Sequence, residues 1–209
     1  MRKLLVFSPK GGVGKSSVAR NVAVSARLAG MNVATLDTDP QGTLTRWWNR
    51  RPETLPAIDH YQEPLGTLKN VSIVIEGISL LVIDTPTSIE AHVNQMSLLL
   101  TVADYILIPT GVTLEDLEST IIAAQMVSAR RKRFAFLINR IKPRVREVVD
   151  ARRKLSETGE VVPVDIPDLA EIYRTYALGL SVQEVVGAKS APDFAALWSF
   201  LARKLEFPT

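Results

Sequence analysis

A chain of 209 residues, 46% apolar and 22% charged, can bury one sizeable core and is too hydrophobic to stay disordered. It contains no cysteine, which excludes disulfides, a cysteine-ligated iron–sulfur cluster and a thiol nucleophile. No apolar run approaches the ~20 residues that span a bilayer. Residues 1–7 run into a glycine loop instead of a cleavage site, so a cytoplasmic protein is expected.

Residues 4–7 read as a first strand, followed by the glycine loop and a helix over 15–28. That helix buries Val18, Val22 and Ala26 at helical spacing and stops near Gly30. A second strand is expected over 32–36, ending at Asp37-Thr38-Asp39-Pro40, with a helix over 43–49. Residues 50–78 hold three prolines and two glycines, with room for a short edge strand. The apolar run 80–83 predicts a strand closed by Asp84-Thr85-Pro86, then a helix over 89–100 and a strand over 105–109.

Thr113 and Asp116 form a capping-box pattern ahead of a helix over 114–129. A strand over 134–138 ends at Asn139-Arg140, and Pro143 suits the first turn of a helix running to about 155. A last short strand at 161–164 and helices over 168–178 and 191–205, the latter capped by Ser190, complete the chain. Strands alternating with helices predict an α/β fold: one mostly parallel, twisted sheet with helices on both faces, in a single domain. Ligands in such sheets bind at the carboxyl ends of the strands. Asp39, Asp84, Pro109 and Asn139 then share a rim with the glycine loop. His60 and His92 lie far apart with no ligand-like spacing and read as packing or surface residues.

The loop Lys10-Gly11-Gly12-Val13-Gly14-Lys15-Ser16-Ser17 sits between a strand and a helix. Its glycines let backbone N–H groups approach phosphate oxygens, and the helix presents its N-terminus to the same anion. Lys15 supplies charge to the β/γ oxygens and the Ser16 hydroxyl can ligand Mg²⁺. Asp37 and Asp39, two residues apart at a strand end, point to one side. Leu80-Leu81-Val82-Ile83-Asp84 is a Walker B pattern, an apolar strand delivering a carboxylate to the metal through water.

The ordinary Walker A loop has glycine where Pro9 stands here, and the second lysine, Lys10, makes the motif a deviant one. In this the sequence resembles the ParA/MinD superfamily of P-loop partitioning and positioning ATPases, and its length resembles the small plasmid-type ParA proteins. The resemblance implies an ATP-dependent homodimer in which Lys10 reaches the partner's ATP. It places Asp39 at the attacking water, and Asp37 and Asp84 in the outer shell of Mg²⁺. It also implies that Asn139 and Arg140 contact adenine, with Pro167 packing on the ring; a basic residue often follows that proline in relatives, where this chain has Asp168. With only three residues ahead of the first strand, no helix-turn-helix extension for operator binding is expected.

Residues 130–154 carry eleven Lys or Arg against Glu147 and Asp150, a net +9 in a chain of net +3. Arg130, Arg131, Arg133, Lys142, Arg144, Arg146, Arg152 and Arg153 are therefore candidates for non-specific DNA contact. The resemblance implies nucleoid association when ATP is bound, and a ParB-like or cargo-bound partner that stimulates hydrolysis. A MinD-like membrane switch is the alternative, and a biosynthetic P-loop enzyme a more remote one. Only Arg203 and Lys204 are basic in the last helix, so Phe194, Leu197, Trp198, Leu201 and Leu205 read as a face packed on the domain.

Overall fold

The computed structural model describes residues 1–68, 74–87, 92–142 and 146–207. The strands β1 (Arg2–Val6), β2 (Val33–Asp37), β3 (Asp59–Gln62), β4 (Leu80–Asp84), β5 (Tyr105–Thr110), β6 (Phe134–Ile141) and β7 (Glu160–Val161) form one sheet in the order β3-β2-β4-β1-β5-β6-β7. Every pairing is parallel, and β8 (Ile166–Pro167) pairs with the end of β6. Parallel neighbours need crossovers, supplied by α1 (Lys15–Leu28), α2 (Thr43–Trp48), α3 (Val93–Val102), α4 (Leu114–Ala129), α5 (Glu147–Ser156), α6 (Ala170–Ala177) and α7 (Ala191–Lys204).

The strand period of two divides the core in half. Leu4, Val6, Val82, Leu107 and Leu137 face α1, α2, α6 and α7, whereas Leu5, Phe7, Ile83, Ile108 and Ile138 face α3, α4 and α5. The predicted face of α7 packs into the first half: Phe194, Leu197, Leu201 and Leu205 are fully buried. Each such side chain contributes roughly 1.5–3 kcal/mol on burial. Thr113 caps α4 as expected, its hydroxyl accepting from the Asp116 amide at 3.2 Å.

Elsewhere the structure refines or corrects the expected elements. Residues 59–62 are a true edge strand, β3, mostly exposed on a polar sequence. Strand β6 continues to Ile141, so Asn139 and Arg140 belong to it; their partner is β8, which the sequence did not disclose. The strand expected over 161–164 is the two-residue β7, and Val164 lies outside it. Helix α5 starts at Glu147; Pro143 lies outside the described residues. Ser190 stands at the N-cap of α7, but its hydroxyl donates to Glu171 instead of capping.

Candidate functional site

Gly14 is the N-cap of α1 at φ +87°, a left-handed conformation that costs other residues about 1–2 kcal/mol. Among the described residues no side chain caps this end of the helix, so its first N–H groups are free to face the loop. Gly12 is also left-handed, at φ +75°. Lys15, the first residue of α1, is buried, and its ammonium donates to the Lys10 carbonyl at 3.1 Å. Burial lowers its pKa, while Asp84 and Asp39 act in the opposite sense. The loop thus gathers backbone donors and an ammonium with few acceptors of its own. Lys10 turns the other way, 3.6 Å from the exposed Glu115 carboxylate.

Asp84 ends β4 beside this cradle. Both of its carboxylate oxygens are fully buried, and among the described residues no donor meets them in full hydrogen-bond geometry, although the Ser16 hydroxyl lies close enough to act on the carboxylate. Burial pushes its pKa up to about 7, with Asp37 and Asp39 adding to the rise. The nearby Ser16 hydroxyl and Lys15 ammonium offset part of it. An orphaned buried carboxylate costs several kcal/mol unless a cation meets it, which fits Mg²⁺. Among the described residues no three His, Cys, Asp or Glu side chains converge on one metal position. A magnesium ion here would be held by Ser16 and Asp84 together with phosphate oxygens, the mode Mg²⁺ favours.

Asp37 and Asp39 differ in what they are free to do. Asp37 Oδ1 accepts from the Asp39 amide at 3.1 Å, and Oδ2 accepts from the amide and hydroxyl of Thr45 at 2.8 and 2.9 Å. It therefore organises its own loop and caps α2 from a distance. Asp39 is half-buried, and its Oδ1 accepts from the Gln41 amide at 2.9 Å. That leaves Oδ2 to accept from a water.

On the other side of the loop, Asn139 Nδ2 donates to the Val13 carbonyl at 2.6 Å and Arg140 donates to the Gly12 carbonyl. Arg140 also lies 3.6 Å from Asp168 and over the Tyr173 ring at 5.6 Å. Gly11, Gly12, Val13, Asn139 and Arg140 line a cleft of about 620 Å³ together with Gly111–Thr113, Lys142 and Asp168. Pro167 is not in that lining; its neighbour Asp168 is. Ser16 and Ser17 open onto a second cleft of about 260 Å³, walled by Ile172, Tyr173 and Tyr176. Tyr173 and Tyr176 stand outside every sequence motif, and their one local signal is an aromatic pair at i,i+3 on a short helix near the site. Thr45 likewise carries no motif.

The basic segment is not one patch. Arg130, Arg131 and Arg133 lie at the amino end of β6, and Lys142 and Arg146 beyond its carboxyl end, roughly 25 Å away at the rise of a strand. Arg133 pairs with Glu206, Arg152 with Asp165, and Arg153 with Asp150. Arg130 donates to the Met126 carbonyl. Among the described residues, Arg131, Lys142 and Arg146 form no ion pair. Arg144 lies outside the described residues.

Comparison with known proteins bears on the fold and the family. A "Maintenance of carboxysome distribution protein A" from Gloeobacter kilaueensis is 31% identical over 216 residues, covering 98% of this chain and 94% of that protein. A plasmid partition protein of Borrelia burgdorferi B31 bound to AMPPNP superposes with TM-score 0.78 at 15% identity, covering 97% of this chain and 99% of that one. An ATP complex of Cyanothece McdA superposes with TM-score 0.72 at 17% identity, covering 100% and 98%. At these identities the two structures show a common fold. Residues 4–182 match the CobQ/CobB/MinD/ParA nucleotide binding domain, so the chain belongs to that family.

Proposed function

We propose that this protein is an ATP-dependent switch ATPase that dimerises on Mg-ATP, binds DNA without sequence preference and positions a cargo. A cargo-bound, ParB-like partner stimulates its hydrolysis. The observation that carries the nucleotide reading is the orphaned, fully buried Asp84 carboxylate beside a glycine loop rich in donors. The relative named for carboxysome distribution supports positioning as the task, with a carboxysome-like body or a plasmid as the class of cargo.

The residues divide the work. Backbone amides of Gly11–Gly14 and the N-terminus of α1 bind the phosphates, with the Lys15 ammonium on the β/γ oxygens. Magnesium, when bound, supplies charge neutralisation at those oxygens. Asp39 Oδ2 orients the attacking water, and phosphoryl transfer asks little else of a side chain. Asn139 spends one of its two amide N–H groups on the Val13 carbonyl, and its carbonyl oxygen can accept from an adenine amino group. Lys10, paired here with an exposed glutamate, exchanges that weak contact for the partner's nucleotide.

The membrane reading is disfavoured. The apolar face of α7 is already buried, and its outward positions are Pro192, Ala195, Ala196, Ser199 and Arg203. No helix among the described residues is long and apolar enough to cross a membrane. Calorimetry with Mg-ATP tests the central claim; no heat of binding by folded protein refutes it. With ATP, Lys10→Ala binds nucleotide but sediments as a monomer, whereas Asp39→Ala forms a dimer that does not release phosphate.

A further inference from the structure

His60 carries no motif, and its side chain sits at the far edge of the sheet from the phosphate loop's own strand. It is nevertheless wired to Asp39. In the parallel pairing of β2 with β3, Thr35 lies opposite His60. Thr35 Oγ1 is 2.8 Å from His60 Nδ1, and His60 Nε2 is 2.9 Å from Thr45 Oγ1. Thr45 Oγ1 lies 2.9 Å from Asp37 Oδ2, and Asp37 Oδ1 accepts from the Asp39 amide.

The proton positions along this chain follow from donor counting. The Asp37 carboxylate only accepts, so the single Thr45 hydroxyl proton points to it. Thr45 Oγ1 must then accept from His60, which places the imidazole proton on Nε2. Nδ1 is left with its lone pair and accepts from Thr35, whose other contact, the Asp59 carbonyl, is longer at 3.3 Å. Burial lowers the His60 pKa, with Asp37 opposing the shift, in keeping with a neutral ring. The Trp48 ring stacks on the imidazole at 5.3 Å and 23°, fixing its plane.

We propose that His60 is a positioning residue for hydrolysis: its Nε2–H orients the Thr45 hydroxyl, which holds Asp37, which in turn holds the backbone amide of Asp39. Without the imidazole the Thr45 hydroxyl is free to rotate, Asp37 loses one of its three donors, and the loop carrying Asp39 loosens. Neither His60 nor Thr45 lines the two clefts at the phosphate loop, so removing their contacts should leave nucleotide affinity nearly unchanged. The effect on turnover rests on the ATPase reading above; the effect on the Asp39 amide does not.

Three variants separate the relay from simple packing. His60→Phe keeps an aromatic ring against Trp48 and removes both nitrogens. Thr45→Val removes the hydroxyl at nearly constant shape, and His60→Gln returns a donor near the Nε2 position. In His60→Phe and Thr45→Val we expect kcat to fall about tenfold. Mg-ATP affinity by calorimetry should stay within about twofold. His60→Gln should recover most of the rate, and the double variant should be no slower than either single one. In nucleotide-free protein, NMR-detected exchange of the Asp39 amide should accelerate about tenfold in both single variants. Wild-type turnover in His60→Phe, or losses that simply add in the double variant, would overturn the proposal. Should the wild-type protein prove unable to bind Mg-ATP, the ATPase reading falls. The Asp39 amide then decides the relay alone: faster exchange sustains it and unchanged exchange ends it.

Discussion

The Asp84 carboxyl has an ordinary pKa near 3.8 and is pushed up to about 7 in the folded chain, chiefly by burial. Between those values the folded state holds a proton that the unfolded state has released. Stability is therefore lost as pH rises through this window, and the full cost is present above pH 7. At 1.36 kcal/mol per pKa unit the cost is at most about 4 kcal/mol. Asp84→Asn should therefore raise the melting temperature of nucleotide-free protein in EDTA at pH 8. The gain should narrow towards pH 5 and close near pH 4. Mg-ATP should stabilise the wild type and do much less for the variant, because the orphaned carboxylate is what a cation would satisfy. A pH-independent difference in melting temperature would contradict this account.

Two glycines with the same φ of +87° allow a second comparison at this scale. A Cβ on Gly14 would lie 2.6 Å from Asn139 Nδ2, whereas one on Gly30 meets nothing within 4 Å among the described residues. Gly30→Ala should cost only the left-handed strain, about 1–2 kcal/mol, and leave Mg-ATP affinity intact. Gly14→Ala adds a clash that drives Asn139 off the Val13 carbonyl. It should lose measurable Mg-ATP binding in calorimetry as well as stability.

At the scale of elements, α7 is held by apolar contact, not by a cap, since the Ser190 hydroxyl is engaged with Glu171. Leu201, fully buried between this helix and the sheet, should cost about 2–5 kcal/mol when replaced by alanine. Chemical denaturation measures that loss. Salt-resistant capture of the folded wild-type protein by anionic vesicles in the presence of ATP, abolished by a charge placed on the apolar face of α7 but not by removal of Arg131 or Arg146, would show that the helix can leave the core after all. The same helix explains what the sequence disclosed. Its apolar spacing is strong, as it is in α1 and α4, and all three bounds were legible to within a residue. A short edge strand is expected within 50–78, but β3 cannot be located there from sequence because Asp59-His60-Tyr61-Gln62 shows no apolar signal; it is a mostly exposed edge held by the ladder to β2 and by the His60 side chain. Strand β8 consists of two residues held by the extended end of β6, and no local pattern marks such a pairing. The phosphate loop could be read because its parts are contiguous. The His60 relay could not, because its donors come from β2, β3 and α2 and meet only once the sheet has formed.

Across the whole molecule, sequence crowding of charge does not translate into a single surface. Strand β6 carries the basic segment from one rim of the sheet to the other, and ion pairs neutralise several of its members on the way. Arg153 and Lys154 occupy the last turn of α5, where positive charge suits the helix dipole, so their presence has a structural reason. Arg146 stands at the opposite end of that helix, where its charge opposes the dipole and contributes nothing to the fold. With Lys142, which lines the cleft beside the phosphate loop, it belongs to the rim on which the proposed nucleotide site opens. Arg131 belongs to the other rim. DNA affinity measured over a salt series should then divide along the sheet. Lys142→Ala and Arg146→Ala should flatten the logarithmic salt dependence only in the presence of Mg-ATP, by about one for each phosphate no longer neutralised. Arg131→Ala should flatten it equally with and without nucleotide, and Arg153→Ala, whose partner is Asp150, should change it little. If all four substitutions act alike whether or not ATP is present, the two rims form no functional division and the charge is simply distributed over the surface.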